Sequence, residues 1–442
     1  MAYPPEVFVD PSVSIESHGE PLDSKTSERA IEKVVGGDED KADQLQRLLS
    51  VEERVTGESL VTGNKVRLLV DGPAAYAEMY KAIRGAKNHI HLETYIFADD
   101  DVGRAFAQLL LDKKKQGVEV RVIYDAYGSA NTSNSFLDYL QDSGVELHEF
   151  NPLNPLKDAL WKMDNRDHRK ILVVDGRVGF TGGMNVSGVY AKGSFSAPHT
   201  EDDEKPSLEV GWRDTHVRID GPAVAELQRL FLNQWAEDGP EDIPQGKKKK
   251  YFPPLKPQGN DLVRVIASKG GGDGQYEIYE AYLAAIEHAT ECVWVTQAYF
   301  APNDEMLGAL QDAAKRGVDV RILVPGLTDR SIVLNASRAE YSKLLKAGVR
   351  IFERQDAMVH AKTAVIDGVW STVGSSNFDY MSFLHNSEAN AVIVSRDFGR
   401  QMKDLYKFDE QHAREINHKR WKHRPLLARA VEHLSRLFTY WI

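Results

Sequence analysis

The sequence predicts a duplicated α/β protein, and three observations carry that reading. The first is an internal repeat. From Val66 the chain reads VRLLVDGPAAYAEMYKAIRGAKNHIHLETYIFADD, then QGVEVRVIYDAYG; from Val263 it reads VRVIASKGGGDGQYEIYEAYLAAIEHATECVWVTQAYFAPND, then RGVDVRILVPGLTD. The second is the order inside each copy: an apolar strand, a helix-period segment, a β-branched and aromatic strand, a second helix, and a strand after a Gly-Val turn. Strands separated by helices imply parallel βαβ units with helices covering the sheet. The third is size and composition. The 442 residues, 42% hydrophobic and 27% charged, suit a soluble globular protein of about three units or two large ones.

In chain order, residues 1–63 are expected to form an acidic N-terminal arm, irregular or mobile apart from a helix through Lys41 to Val55. Residues 1–60 hold 14 Asp or Glu against 6 Lys or Arg and show little periodicity. The first repeat half spans 64–238. Within it, AKGSFSAPHTEDDEKPS at 191–207 has no counterpart in the second copy and reads as a flexible insertion. The Pro-, Gly- and Lys-rich stretch over 239–259 marks a linker, with Lys247 to Lys250 and Tyr251-Phe252 read as solvated. The second half spans 260–410.

A basic, amphipathic tail over 411–442 closes the chain. From His412 onward it holds 7 Lys or Arg against 2 Glu, against a net charge of −11 for the whole protein. Leu427, Val431, Leu434, Phe438 and Trp441 recur at intervals of 4, 3, 4 and 3, an apolar helical stripe. Such a helix either lies in the headgroup region of an anionic membrane or docks on the protein's own core.

The single cysteine, Cys292, excludes an intrachain disulfide and fits a reducing compartment. The N-terminal residues show no basic segment followed by an apolar run, and no apolar stretch approaches the ~20 residues that span a bilayer. A cytoplasmic protein, attached at most peripherally to the cell membrane, is expected.

Within each half the repeat sharpens into a spaced constellation. His168, Lys170, Asp175, Gly182-Gly183 and Asn185 in the first half match His360, Lys362, Asp367, Gly374-Ser375 and Asn377 in the second, with offsets from His of +2, +7, +14 and +17 in both. Packing does not require His and Lys to recur together, so the recurrence points to catalysis. Two residues apart on a strand, imidazole and ammonium share a face.

Asp-Gly at 175–176 and 367–368, between β-rich runs, signals hairpins. A two-residue turn sets His168 opposite Gly183 and His360 opposite Ser375, small residues that leave space over each histidine, with Asn185 and Asn377 on the same face. A cation, an amide and a histidine on an open floor describe a phosphate site. Zinc binding is disfavoured because Lys170 and Lys362 would put a cation beside the metal and no cysteine cluster exists. No GxxxxGK[ST] loop occurs.

This constellation resembles the phospholipase D superfamily, whose signature is HxKxxxxD followed by a small-residue turn and Asn. The resemblance covers roughly residues 64–410. HLETYIF at 91–97, RDHRKILVVDG at 166–176, GGMNV at 182–186, WRDTHVRIDGPAV at 212–224, QAYFAP at 297–302, VHAKTAVIDG and VGSSNFD are similar to the bacterial cardiolipin synthase branch, here in a short form without the N-terminal pair of membrane helices. The resemblance implies a duplicated α/β/α sandwich of two pseudo-symmetric halves, each a central mixed sheet flanked by helices.

It also implies phosphatidyl transfer through a phosphohistidine, most readily cardiolipin synthesis from two phosphatidylglycerols with release of glycerol. By family habit His168 is the nucleophile and His360 the general acid and base, although the motif symmetry alone does not decide between them. Lys170, Lys362, Asn185 and Asn377 would bind the phosphate and stabilise the transition state. No metal or other cofactor is required. Asp175 and Asp367, at the turns, read as structural.

A histidine nucleophile also needs an orienting carboxylate. Aligning WRDTHVRI with NSEANAVI sets Asp214 at the position of Glu388, and these two are the candidates. Glu93 and Gln297, after the second strand of each copy, are expected to line the pocket. Phospholipids and a membrane surface are the expected partners. Nucleic acid is not, because the repeat halves are near neutral or acidic. Simple hydrolysis, and transfer to another alcohol, remain alternatives within the same chemistry.

Overall fold

The computed structural model describes residues 13–17, 19–153, 165–194, 211–239, 250–270, 276–328 and 330–437. Each half is an α/β/α sandwich, as expected. In the first half, parallel strands Glu146–Phe150, Glu119–Asp125 and His89–Thr94 continue antiparallel through Ile171–Val174, Val178–Gly182 and Thr215–Asp220. In the second half, Arg350–Arg354, Asp319–Pro325 and Cys292–Gln297 are parallel and continue antiparallel through Lys362–Ile366, Trp370–Gly374, Glu388–Val394 and Asp261–Ser268.

Strand Leu60–Val70 ties the two sheets together. Its last six residues pair with Thr215–Asp220, while Val61 and Asn64 pair with Val263 and Asp261. On one face, helices Asp71–Gly85 and Asp101–Lys115 cover the first sheet, and helices Glu277–His288, Asp304–Lys315 and Ser331–Ala347 cover the second. Helices Val224–Asp238 and Arg396–Gln411 lie on the other face, where Val217, Ile219, Val265, Val373, Ala391 and Ile393 of the two halves join one apolar core.

The N-terminal arm differs from the sequence reading. From residue 13 its described part is ordered. Ile15–Ser17 pairs in parallel with the start of Leu60–Val70, and helices Ser24–Val35 and Glu39–Thr56 begin at the Asp23 and Asp38 caps. Their acidic faces hide an apolar stripe of Ile31, Val35, Leu45, Leu48 and Leu49, all buried in the core of the second half. Glu52 enters that core too, 2.6 Å from the Arg264 guanidinium, with both side chains fully buried.

The linker is also less solvated than expected. Tyr251 is fully buried, and its hydroxyl accepts from Arg121 at 2.7 Å. Lys247 to Lys249 lie outside the described residues, as do 195–207 of the insertion and Phe438 and Trp441 of the tail stripe. Among the described residues no helix is long and apolar enough to cross a membrane.

Candidate active site

Asp-Gly makes a hairpin in each half, but one residue longer than the two-residue turn expected. Ile171 pairs with Thr181 and Thr363 with Val373, so the turns are Asp175-Gly176-Arg177 and Asp367-Gly368-Val369. Asp and Gly both take left-handed backbone there, with φ of 55° and 62° in the first turn and 51° and 68° in the second. Asp175 holds that conformation by accepting the main-chain N–H groups of Lys87, Asn88 and His89 at 2.7–3.0 Å; Asp367 does the same for Thr290, Glu291 and Cys292 at 2.8–2.9 Å. Both carboxylates sit at the strand end remote from the histidines.

The longer turn changes what the small residues do. They do not lie opposite the histidine of their own strand but against the carboxylates, with the Ser375 main chain also reaching His168 of the other half. A Cβ at Gly183 would lie 2.2 Å from Asp214 Oδ1, and the Ser375 hydroxyl donates to Glu388 Oε2.

Each histidine lies just before its strand, in a segment paired with the other half. Asp167 bridges in parallel to Ser387, and His168 N–H donates to the Ser387 carbonyl at 2.9 Å. Met358–Val359 pairs in parallel with Trp212–Arg213, and His360 N–H donates to the Arg213 carbonyl at 2.8 Å. The residue after Ser387 is Glu388, and the residue after Arg213 is Asp214. The carboxylates therefore reach the histidines crosswise. Glu388 of the second half lies 3.0 Å from His168 Nδ1, and Asp214 of the first half 2.7 Å from His360 Nδ1. With Nδ1 committed to a carboxylate, Nε2 is the ring nitrogen left for chemistry.

The two ammoniums stand beside this pair. Lys170 and Lys362 each donate to the main-chain carbonyl of the histidine two residues earlier. Burial, reinforced by Lys362 and resisted by Glu388, lowers Lys170 to about 7. Burial and the Lys170 and Lys362 charges hold His168 well below the ordinary imidazole range. Burial and Lys362 bring His360 to about 4 against the pull of Asp214.

The carboxylates differ. Burial pushes Asp214 upward, yet the His360 imidazole, the Lys362 charge and the Thr215 N–H outweigh it and keep Asp214 below the usual carboxylate range. Burial raises Glu388 to about 8, even with Lys170 nearby and the Ser375 and Ser382 hydroxyls on it. One dyad thus rests on an ionised carboxylate and the other on a carboxyl group that resists ionisation.

Asn185 and Asn377 are buried next to the dyads. The Asn185 amide donates to the Tyr190 hydroxyl at 3.2 Å, and Asn377 donates to Ser382 at 3.4 Å. The site has narrow access, with His168 and His360 side chains 12% and 8% exposed.

Known proteins resemble this chain over most of its length. A family model described as "Cardiolipin synthase, PLD-like domain" matches residues 79–193 and 282–409, together over half of the chain. The cardiolipin synthase of Alkalihalophilus pseudofirmus is 34% identical over 93% of this chain and 80% of its own length. That of Geobacillus thermodenitrificans is 35% identical over 89% of this chain and 75% of its own. The chain belongs to the phospholipase D superfamily, in its cardiolipin synthase branch. Membership places it among the phosphatidyltransferases of that superfamily. The fold is shared with the phosphatidylserine synthase of Haemophilus influenzae Rd KW20, at 14% identity and a TM-score of 0.64 over 89% of this chain and 97% of that one.

In this member of the branch, the two residues expected to line the pocket separate. Glu93 and Gln297 do not occupy equivalent positions: Ile90 pairs with Val174 and Val293 with Ile366, so Glu93 corresponds to Thr296 and Gln297 to Thr94. Glu93 is buried against Arg169, 3.1 Å away, and Gln297 pairs across from Lys362.

Sequence reasoning missed the aromatic walls. Tyr95 stands edge-on to His168 with centroids 5.0 Å apart, Trp212 is 5.1 Å from His360, and the Tyr190 hydroxyl is 3.4 Å from His360 Nδ1. Trp212, immediately before Arg213-Asp214, was the one with a sequence signal, its adjacency to a candidate carboxylate.

Proposed function

We propose that this enzyme joins two phosphatidylglycerol molecules into cardiolipin and releases glycerol, through a phosphohistidine on His168. The observation that carries the mechanism is the pair of crossed dyads beside two ammoniums. A phosphodiester anion entering between Lys170 and Lys362 offsets the two positive charges that depress both histidines. His360 then takes up a proton, favoured by ionised Asp214, while His168 stays neutral, its Nδ1–H donated to a Glu388 oxygen and its Nε2 lone pair left for attack.

His168 Nε2 attacks phosphorus and forms the P–N bond as the P–O bond to glycerol breaks, and His360 gives its proton to the departing oxygen. The primary hydroxyl of the second phosphatidylglycerol next loses its proton to His360 and attacks phosphorus. The P–N bond breaks, and His168 and His360 return to their starting states. Lys170, Lys362, Asn185 and Asn377 surround the non-bridging oxygens as charge develops. Asp175 and Asp367 act on the turns alone. Transfer demands that an alcohol outcompete water, and the deeply set histidines with their aromatic walls support that outcome. The glyceryl headgroup is taken from the activity in the names of the curated relatives.

The enzyme works at the cytoplasmic face of the cell membrane, held there by its C-terminal helix. Helix Leu426–Arg436 presents the unusual face to its own protein. Glu432 and Ser435 are buried, with Glu432 bound by Arg424 at 2.6 Å and Arg436 bound to Glu340 at 2.6 Å. Leu426, Leu427, Val431, Leu434 and Leu437 face outward, from 42% to 78% exposed. An apolar ridge flanked by Lys419, Arg420, Lys422 and Arg429 suits an anionic bilayer.

The test is to incubate the purified protein with phosphatidylglycerol vesicles and identify products by mass. Cardiolipin with equimolar glycerol is expected. Phosphatidic acid and glycerol alone would make the protein a hydrolase, and cleavage of oligonucleotides with no lipid product would replace this reading by a nuclease.

A further inference from the structure

The two dyads are alike in plan but not in support. Behind Asp214 lies a buried chain of charges. Arg213 Nη1 donates to the Asp214 carbonyl at 2.6 Å and to the Thr215 hydroxyl at 2.8 Å. Its Nε and Nη2 donate to the two carboxylate oxygens of Asp409 at 3.0 and 2.8 Å. Asp409 comes from helix Arg396–Gln411 of the other half and also accepts from Arg354 at 2.5 Å. Arg213, Arg354 and Asp409 are each 2% exposed or less.

On the opposite side Asp71 closes the frame. Its carboxylate accepts the Asp214 N–H at 3.0 Å and its own N–H donates to the Asp214 carbonyl at 2.9 Å. It does so in left-handed backbone, φ 63°, a strained conformation for a buried non-glycine residue.

The fold does not require these charges. Around Glu388 the matching positions are Ser387, which precedes it, and Ser268, which pairs opposite it. Buried ion pairs add little to stability relative to apolar packing. Their presence behind Asp214, where the positions around Glu388 carry serines, points to another role.

We propose that Arg213, locked by Asp409, is a positioning residue for the Asp214–His360 dyad, holding the Asp214 main chain so that Oδ2 stays on His360 Nδ1 through proton transfer. This rests on the acid and base role of His360 given above. Besides Asp214, the titratable groups that face His360 are the Lys362 and Lys170 ammoniums, His168, the Tyr190 hydroxyl and Tyr299, whose ring stands edge-on to it. None of them replaces the hold of Arg213 on the Asp214 main chain.

The test is Asp409→Asn, near-isosteric, assayed with phosphatidylglycerol and with a lipid phosphodiester carrying a p-nitrophenyl group, which departs without an acid. The expected result is a kcat on phosphatidylglycerol at least tenfold lower with KM unchanged. The alkaline limb of its pH profile moves to lower pH, because His360 holds its proton less tightly. The burst of p-nitrophenol remains at the wild-type rate. Equal loss of burst and turnover, or wild-type kcat with an unmoved profile, overturns the proposal.

Should Asp409→Asn not fold, Thr215→Val removes one acceptor of Arg213. A several-fold fall in kcat with an intact burst supports the proposal, and wild-type behaviour overturns it. Inactivity of the wild-type protein on both lipids would instead count against the proposed reaction itself.

Discussion

Glu388 lies 3.0 Å from His168 Nδ1 although 220 residues separate them in the chain, one in each half of the duplication. Asp214 repeats the relation toward His360 in the opposite sense. Each half alone therefore holds a histidine without its carboxylate. Both dyads are complete only when the halves are joined.

Pairing across the halves has a kinetic signature. Glu388→Gln and Asp214→Asn are each expected to lower kcat by about 10²-fold or more, in the range removed with the partner of a catalytic base. Combining Glu388→Gln with His168→Ala is expected to cost no more than His168→Ala alone, because the two act as a unit. Steady-state kinetics of the four variants check this, and additive losses would contradict it.

Substrate binding should weaken in mild alkali. Lys170 stands near 7 in the free enzyme, protonated below that value and neutral above it. As pH rises through about 7 the site loses a positive charge, and KM for an anionic phosphodiester should rise. Lys170→Met should show the high KM at every pH. A KM independent of pH from 6 to 8.5 would show that the ammonium does not bind the phosphate.

The expected two-residue turns failed for a local reason, and the crossed dyads escaped for a global one. His168, Lys170, His360 and Lys362 were legible because their spacing repeats within a single strand and turn. The turn length was misread by one residue because Asp-Gly with positive φ at both positions fits a two-residue turn, whereas Arg177 and Val369 add a third residue before pairing resumes at Val178 and Trp370; a slip of one residue turns every side chain to the other face. Asp214 and Glu388 were found as equivalent positions, yet which histidine each serves depends on a contact between halves that no local spacing encodes. The helix Ser24–Val35 was hidden by its acidic outer face, whereas the one expected through Lys41 to Val55 forms as Glu39–Thr56, and the apolar stripe of the tail was visible without its outward direction.

The buried Glu52–Arg264 pair fastens the N-terminal helices to the second half. Removing one partner of a buried pair leaves an uncompensated charge, so Glu52→Ala is expected to lower unfolding stability by about 3 kcal/mol. At temperatures where the protein stays folded, kcat should not change. Chemical denaturation together with an activity assay checks both, and a change below about 0.5 kcal/mol, the usual surface effect, would mean the pair is not the fastening.

The outward ridge of the last helix gives a membrane prediction. Leu427→Asp with Leu434→Asp should abolish sedimentation with anionic vesicles and leave the far-UV circular dichroism and the turnover of a detergent-dispersed substrate intact. Unfolding of this variant would mean that the ridge packs within the protein, and unchanged sedimentation would assign the membrane contact elsewhere.

The central claim, that His168 carries the phosphatidyl group while His360 serves as acid and base across a shared site, has a direct measurement. His360→Ala is mixed with the p-nitrophenyl phosphodiester lipid, quenched under alkaline conditions that preserve phosphohistidine, digested and mapped by mass spectrometry. The account predicts one equivalent of p-nitrophenol per enzyme and a phosphatidyl adduct on His168, absent in His168→Ala. An adduct on His360 in the wild-type or the His168→Ala protein, or product formation with no adduct on either histidine, would contradict it.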